Sequence, residues 1–311
     1  MNLTLPPNLE QSLDSLLAKL PLKNLRILTK QLSQRYREGK FFLTTYDEKV
    51  AYLAVRLPAT YAAITDVLSH IPNEIETICD YGSGPGTGIL AAQQLFNLLK
   101  KSTAIEHDNQ WIHIGQQLVN QCAWIKDDIT KFKHSPCDLA LFSYSLNEIP
   151  LPQCENLLKL VWSNVNKYLV IIEPGTPKGY QRIISYRSIL LNQGAHIFAP
   201  CPHTLKCPLQ DKENDWCHFS KRLTRSSLHR LLKDAELNYE DEKFSYLIVS
   251  KNINTKVYDR VIRHPKIGKG HTKLTLCTHE GHWQETTISK KDGPLYKLAK
   301  DTEWGDEWPI N

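Results

Sequence analysis

Three cysteines fall close together in a proline-rich stretch of the chain, where they could ligate a metal. Cys201 and Cys207 are each followed by a proline, and Cys217 follows shortly after them. Cys277, 60 residues further along the chain, could complete a set of four thiolates. Such clustering is hard to explain as core packing, because buried free cysteines usually act as isolated small hydrophobes. The pattern therefore predicts a metal centre.

The spacing of these cysteines bears on which metal they bind. Zinc knuckles and ribbons usually present paired C-x2-C spacings on tight turns, whereas here five residues separate Cys201 from Cys207 and nine separate Cys207 from Cys217. Irregular spacing with a distant fourth thiolate suits a cubane iron–sulfur cluster, whose corners lie farther apart than the ligands of one ion. A zinc site is the alternative, with His203 and His218 as further ligands.

A glycine-rich loop upstream of the cysteines could hold a nucleotide-like cofactor. An apolar run ends at Asp80, and glycines follow at every second position from 82 to 88. Glycine suits such a loop because a Cβ would block close approach of the backbone to a ligand. The pattern fits the dinucleotide fingerprint poorly and resembles the acid-x-G-x-G-x-G loop of S-adenosylmethionine (SAM)-dependent methyltransferases; a dinucleotide-binding domain is the alternative. The candidate cofactor contacts in the loop are Asp80, Gly82, Ser83, Gly84 and Gly86.

Polar residues at three further predicted strand ends support a SAM site. Glu106 ends the second strand, where a carboxylate can accept hydrogen bonds from ribose hydroxyls. Asp127 and Asp128 follow the third strand, where a side chain can bind the adenine amino group. Ser143 ends the fourth strand, where the cofactor's methyl group would meet a substrate. Ligands of open α/β sheets bind at the carboxyl ends of the strands, so these positions are mutually consistent.

The loop after the fourth strand lacks a catalytic signature that we recognise. Many amino-directed nucleic-acid methyltransferases carry an Asn/Asp-Pro-Pro-aromatic tetrad there, but residues 143–150 read Ser-Tyr-Ser-Leu-Asn-Glu-Ile-Pro. Asn147 and Glu148 are the candidate acceptor or base. The sequence thus predicts a SAM-binding, methyltransferase-like protein and leaves methyl transfer itself open.

The elements that must position these motifs follow from hydrophobic periodicity. Residues 1–72 show leucines at helical spacing, with a third helix that begins near Thr45 and ends before Pro58. Residues 73–250 alternate short apolar runs with helical segments, which predicts an α/β domain with a mostly parallel, Rossmann-like sheet of seven strands and a cysteine-rich insertion at 199–220. Residues 251–311 read as a small, basic, β-rich appendage.

Composition limits the class of protein and its compartment. The 311 residues are 41% hydrophobic and 23% charged, as in an ordinary globular protein. No apolar run reaches the roughly 18 residues that a membrane helix needs, and the N-terminus resembles neither a signal peptide nor an Arg-rich transit peptide. We therefore expect a cytoplasmic protein without a membrane partner, in which eight cysteines do not form four disulfides.

Positive charge is concentrated toward the C-terminus. Residues 243–300 contain ten lysines and two arginines against four acidic residues, although the whole chain carries only +5. Such a surplus is compatible with binding of nucleic acid. The following basic residues flank the cysteine segment and are further candidates for RNA contact: Lys178, Arg182, Arg187, Lys221, Arg222 and Arg225.

With these residues in view, the chain resembles the methyltransferase-like proteins associated with the mitochondrial small ribosomal subunit and their bacterial relatives. The resemblance is carried by the glycine loop, the cysteine segments and several short stretches, namely residues 173–179, 199–203, 207–208, 215–220, 240–246, 276–278 and 304–306. It implies a class I SAM-dependent methyltransferase fold. It also implies a four-iron cluster on Cys201, Cys207, Cys217 and Cys277, and a role in small-subunit assembly and translation through ribosomal RNA (rRNA).

Three functions are therefore compared below. The leading hypothesis is a bacterial, monomeric member of this family that binds SAM and a [4Fe-4S] cluster and docks on small-subunit rRNA. The second is a catalytically active rRNA methyltransferase. The third is a small-molecule methyltransferase with a structural zinc.

Overall fold

Helices open the chain, as the spacing of its leucines predicts. In the computed structural model, which describes residues 4–37, 43–133 and 135–310, they are α1 (Pro7–Leu17), α2 (Leu22–Arg37) and α3 (Tyr46–Leu68). The Thr45 side chain caps α3 by accepting a hydrogen bond from the Glu48 N–H, and the Glu48 side chain accepts one from the Thr45 N–H. This reciprocal capping box fixes the start of α3 where the sequence predicts it.

The predicted break before Pro58 is wrong, because α3 continues through this proline. Proline removes one intrahelical hydrogen bond and usually costs several kcal/mol inside a helix. The surrounding turns are deeply buried, with Leu57, Ala59 and Tyr61 at most 2% exposed. Packing of this apolar surface outweighs the local penalty, as tertiary context often does for helix propensity.

The chain forms two compact units. The first contains the described residues up to 132 together with Lys221–Glu242, and the second contains Lys133–Ser220 together with the chain from Lys243 onward.

In the first unit, three parallel strands carry the glycine loop and the polar residues that follow it. The strands and helices are β1 (Thr77–Tyr81), α4 (Thr87–Leu95), β2 (Lys101–Glu106), α5 (Asn109–Leu118) and β3 (Ala123–Lys126), and the strand order is β3-β2-β1. Asp80 pairs with Ala104, and Glu106 pairs with Lys126. Because the strands are parallel, Asp80, Glu106 and Asp127 lie at the same edge of the sheet.

The strands that follow continue the α/β pattern. They and their helices are β4 (Cys137–Ser143), α6 (Leu151–Asn164), β5 (Val165–Pro174), α7 (Pro177–Asn192), β6 (His196–Ala199), β7 (Phe219–Thr224), α8 (Ser227–Leu232) and β8 (Tyr239–Ser250). β4 and β5 are parallel, whereas β8 runs antiparallel between β5 and β6.

The class I methyltransferase fold predicted from the sequence is confirmed, with one correction to the number of strands. The mostly parallel, Rossmann-like sheet contains eight strands rather than seven, because β7 also pairs with β8. The short strands β6 and β7 flank the cysteine segment, where prolines and cysteines obscure the alternation that would reveal a strand.

The C-terminal appendage is β-rich, as predicted, and its strands form a second, antiparallel sheet. Its elements are β9 (Asp259–Val261), β10 (Lys266–Gly268), β11 (His271–Cys277), β12 (Trp283–Ser289), α9 (Pro294–Asp301) and β13 (Glu307–Trp308). β11 is central and pairs with β9, β10 and β12. One face of this sheet is buried in a small core that includes Leu274, Ile288 and Ala299. Within the described ranges, every helix is too short or too polar to span a bilayer.

Candidate functional site

The glycine loop is anchored to the neighbouring strand by its own backbone. The N–H groups of Gly82 and Ser83 both donate to the Ile105 carbonyl, at 2.9 and 3.1 Å. Gly86 has φ of +83°, and a Cβ at this position would come within 2.7 Å of the Val119 Cγ2. Only glycine fits there, because the conformation is left-handed and the space is already filled.

Gly84, in contrast to Gly86, has open space where a side chain would lie. Its φ is +53°, and a Cβ built there would find no atom within 4 Å. The loop backbone is therefore open on this side, as a cradle for a ligand should be. The nearby Ser83 hydroxyl is buried without a hydrogen-bond partner among the described residues.

Asp80, at the end of β1, is a buried carboxylate that the protein leaves uncompensated. It is 0% exposed, and neither carboxylate oxygen has a hydrogen-bond partner in the described part of the chain. Burial, together with the nearby Glu106 and Cys79, raises the pKa of Asp80 to about 8. A cationic or hydrogen-bonding ligand group would remove this penalty, which is what the methionine end of SAM would supply.

Glu106 lies beside Asp80, but its carboxylate already accepts several hydrogen bonds. One carboxylate oxygen accepts hydrogen bonds from the N–H groups of His107 and Asp108, both at 2.9 Å. The other accepts from the Gly84 N–H, also at 2.9 Å. The His107 Nδ1 also lies 3.1 Å from the first oxygen, so Glu106 is engaged through both oxygens while it holds the glycine loop.

The remaining predicted SAM contacts are placed as follows. Asp127 immediately follows β3 and accepts from the Asp128 N–H at 2.8 Å. Asp128 is exposed and accepts from both the N–H and the hydroxyl of Thr130. Ser143 belongs to the second unit, where it ends β4 and pairs with Ile172 of β5.

The loop after β4 is held by Arg182, a residue for which the sequence predicts contact with RNA. Arg182 of α7 donates to the carbonyls of Asn147 and Ile149 at 3.1 and 2.7 Å. The Asn147 side-chain amide donates to the Tyr144 carbonyl at 2.9 Å, so it stabilises the loop itself. Glu148 is exposed.

Glu173 is a residue of this region that the sequence did not single out. It is 0% exposed at the end of β5, and its carboxylate oxygens have no hydrogen-bond partner among the described residues. Burial raises its pKa to about 7, against the opposing influence of Asn147 and Arg182. The sequence feature that could have identified Glu173 is an acidic residue at the end of an otherwise unbroken apolar strand.

The four clustered cysteines line one cavity in the second unit. Its empty volume is about 570 Å³, including its open mouth, and its wall contains Cys201, Cys207, Cys217 and Cys277. Cys277 comes from β11, so the appendage sheet and the 199–220 segment meet at this cavity. The structure therefore brings together thiols that are up to 76 residues apart in the sequence.

Two buried arginines hold the cysteine segment in place. Arg187 of α7 donates to the carbonyls of His203 and Leu205 at 2.9 and 2.8 Å. Arg260 of β9 donates to the carbonyls of Pro200 and Gly305 at 2.9 and 2.7 Å. Hydrogen bonds from charged donors to buried acceptors are among the stronger ones in proteins, so these contacts fix the walls around Cys201.

The thiols lie within electrostatic reach of one another. Burial, and next the neighbouring Cys207 and Cys201, raise the pKa of Cys217 well above its ordinary value. Burial and the same two thiols also raise the pKa of Cys277. The Tyr180 hydroxyl lies 3.2 Å from the Cys207 Sγ. Several thiolates so close together are unfavourable without a cation, and a bound metal would reverse that preference.

Within residues 4–37, 43–133 and 135–310, no three His, Cys, Asp or Glu side chains are close enough to share one metal ion. Of the two alternative zinc ligands, His203 has its Nε2 3.4 Å from the Cys277 Sγ, whereas the His218 Nδ1 lies 3.0 Å from the Trp216 carbonyl.

Most of the basic residues predicted to contact RNA beside the cysteines serve within the protein instead. Arg182 and Arg187 hold backbone carbonyls, as described above. The others form ion pairs: Lys221 with Asp66 at 2.5 Å, Arg222 with Asp241 at 2.7 Å, and Arg225 with Glu240 at 3.2 Å. Of that predicted group, only Lys178 is exposed without a carboxylate partner among the described residues.

The model of the family described as mitochondrial small ribosomal subunit Rsm22 matches residues 46–309. The chain belongs to the Rsm22 family. The matched region includes the glycine loop and all four cysteines of the cavity.

Two curated relatives carry names that agree with this assignment. The human "Ribosome assembly protein METTL17, mitochondrial" is 22% identical, over 84% of this chain and 62% of that protein. The "Rsm22-cox11 tandem protein 2, mitochondrial" of Schizosaccharomyces pombe is 25% identical, over 90% of this chain and 45% of that protein. This chain thus spans about half the length of the curated relatives it matches. Both relatives are eukaryotic and mitochondrial, and the bacterial origin and cytoplasmic location stay predictions.

Among solved structures, the chain is similar to a SAM-dependent methyltransferase from Aquifex aeolicus. The TM-score is 0.43 and the identity is 12%, over 67% of this chain and 99% of that one.

Proposed function

We propose that this protein binds SAM and a four-iron cluster and acts in assembly of the small ribosomal subunit by docking on its rRNA. The observation that carries the proposal is the single cavity lined by Cys201, Cys207, Cys217 and Cys277 in a chain of the Rsm22 family. A ribosomal role is supported by the names of the family and of its human relative.

Binding of SAM is supported by two features of the first unit. The Asp80 carboxylate is buried without a partner, and the open side of Gly84 gives access to the loop backbone. The residues of this unit that would hold the cofactor are Asp80, Gly82, Ser83, Gly84, Gly86, Glu106, Asp127 and Asp128. When bound, SAM supplies an activated methyl group.

An iron–sulfur cluster is supported by the number and spacing of the cysteines in the cavity. The four thiols line one space, and a cubane takes one cysteine at each corner. A tetrahedral zinc would require all four ligands within about 2.3 Å of one ion. The four cysteines would therefore hold the cluster, which would join β11 to the 199–220 segment.

Anaerobic purification with analysis of iron, sulfide and zinc tests the metal assignment. We expect a brown protein with about four irons per chain, and Cys217→Ser and Cys277→Ser should each lower the iron content. Cys122→Ser is the matched control, because Cys122 lies outside the cavity. A colourless protein with one tightly bound zinc would instead support the methyltransferase with a structural zinc.

Incubation with precursor small subunits and methyl-labelled SAM tests the ribosomal role. We expect the protein to bind the precursors or their rRNA without transferring label, because the loop that contains Asn147 and Glu148 offers no recognised acceptor signature. Label in the rRNA would establish the active methyltransferase in its place. Absence of any binding to precursors or rRNA would contradict the ribosomal proposal.

A further inference from the structure

Five exposed lysines gather at one corner of the appendage sheet. The register places Lys266 of β10 directly opposite Lys273 of β11. The turn between these strands carries Lys269, and the Gly270 carbonyl in that turn accepts a hydrogen bond from the Lys290 N–H at 3.1 Å. Lys291 follows immediately. We call Lys266, Lys269, Lys273, Lys290 and Lys291 the lysine corner.

The sheet itself directs the central lysine side chains to the solvent. Residues directly opposite each other on paired strands share a face, so Lys266 and Lys273 project from the same side. The next residue of β11, Leu274, is buried in the appendage core with Ile288 and Ala299. Helix α9, which contains Ala299, therefore covers the other face. On the lysine face, Lys273 is exposed, whereas Thr275 and Cys277 further along β11 are buried.

The lysine corner has no close ion-pair partner among the described residues. None of its five ammonium groups lies within 4 Å of a carboxylate in that part of the chain, although Lys291 interacts electrostatically with the neighbouring Asp292. Asp292 is the acidic residue next to Lys291, and its side chain accepts from the N–H and hydroxyl of Ser289 at 2.6 and 2.9 Å. Lys221, Arg222 and Arg225, by contrast, each have a carboxylate partner.

Repulsion between the lysines destabilises this part of the sheet, and an anionic partner would remove that destabilisation. Like charges directly opposite each other on a sheet face are destabilising, and Lys266 and Lys273 are such a pair. A phosphate backbone offers closely spaced negative charges, and lysines bind it as point charges without reading the bases.

From this geometry we infer that the lysine corner is an RNA-binding surface that contacts the phosphate backbone. The inference rests on the proposed docking to rRNA and names the surface that would perform it. It also moves RNA contact away from the arginines beside the cysteines, which are engaged in internal contacts.

A pair of matched double variants of the full chain tests the inference. Lys266→Gln/Lys273→Gln removes two charges from the lysine corner, and Lys297→Gln/Lys300→Gln removes two exposed charges from α9 on the opposite side. Binding of a labelled small-subunit rRNA fragment is measured by fluorescence anisotropy between about 50 and 200 mM salt, the range over which phosphate contacts dominate. Thermal unfolding of each variant verifies that it is folded.

We expect the corner variant to bind about tenfold more weakly or worse at low salt. The slope of log K against log salt should fall by about 1 for each lost phosphate contact, whereas the α9 variant should bind like the wild type. Equal RNA binding by both variants and the wild type would overturn the RNA-binding role of the lysine corner but would leave the proposed docking on rRNA intact. A wild-type protein that binds no rRNA would instead overturn the proposed function. Tighter binding of polyglutamate or anionic vesicles than of RNA, lost in the corner variant, would assign the corner to another partner.

Discussion

At the scale of residues, the useful distinction is between buried charges that the protein satisfies and those that it does not. Glu106 and Asp80 are neighbours at the same edge of the sheet, and both are buried. Glu106 accepts three backbone N–H groups, whereas both oxygens of Asp80 lack partners among the described residues. An unpaired buried carboxylate is costly, so Asp80 is the residue of this pair whose presence is better explained by a ligand than by folding.

Asp80→Asn should therefore weaken SAM binding without weakening the fold. The folded-state pKa of Asp80, about 8, lies above the ordinary value of about 4. Protonation of Asp80 therefore favours the folded state. This stabilisation is fully present below the ordinary pKa and is lost as the pH rises through 8. Without SAM, the variant should thus be at least as stable as the wild type at pH 8.5 in urea unfolding, and should lose less stability between pH 6 and 8.5. By calorimetry, its affinity for SAM should fall tenfold or more, which is about 1.4 kcal/mol.

The matched control for this prediction is Asp127→Asn at the same edge of the sheet. Asp127 is partly exposed, so its substitution should change the free energy of unfolding by no more than about 0.5 kcal/mol. An Asp80→Asn variant that binds SAM like the wild type would show that the buried carboxylate does not face the cofactor.

At the scale of elements, α7 supports two different loops through two arginines. Arg182 holds the loop after β4, and Arg187 holds the cysteine segment. They are five positions apart on the helix. One helix thus positions both the loop after β4 and the wall of the cysteine cavity.

Arg187→Met should loosen the cysteine segment. The substitution keeps an apolar stem but leaves the buried carbonyl of His203 and the partly buried carbonyl of Leu205 without their donor, at a cost of up to about 1–3 kcal/mol each. We expect the free energy of unfolding to fall by about 2–5 kcal/mol and the iron content of the purified protein to fall with it. Urea unfolding and iron analysis measure the two effects.

Arg182→Met provides the comparison on the same helix. It should leave the iron content unchanged, because Arg182 donates to Asn147 and Ile149 rather than to the cysteine segment. Equal loss of iron in the two variants would mean that α7 acts only through general stability.

The sequence predicts elements well where local chemistry decides them. The capping box of Thr45 and Glu48, the glycine loop and the β-rich character of the appendage all follow from local patterns. Pro58 inside α3 and the roles of Arg182 and Arg187 do not, because each depends on burial and on partners distant in sequence. The cysteine spacing indicated a metal, but only the fold shows that Cys277 reaches the same cavity as the other three thiols.

At the scale of the whole molecule, the two candidate cofactors depend largely on different units. The glycine loop, Asp80 and Glu106 belong to the first unit, and all four cysteines of the cavity belong to the second. The net charge of +5 is modest, yet the unpaired lysines concentrate on the appendage sheet. Cofactor binding and RNA docking can therefore be perturbed one at a time.

Hydrogen exchange of the intact protein should reveal this separation directly. A ligand at 100 times its Kd stabilises the state that binds it by about 2.7 kcal/mol, which slows exchange through local opening about 100-fold. SAM should thus protect residues 81–88 and the N–H groups of His107 and Asp108, which Glu106 holds. Removal of the metal should instead speed exchange in residues 201–217 and in β11, because Cys277 ties that strand to the cavity.

If metal removal affects residues 201–217 but not β11, then Cys277 is not a ligand, and the fourth position must be filled by another group. The Cys277→Ser variant provides the control, since its β11 should exchange rapidly whether or not metal is present.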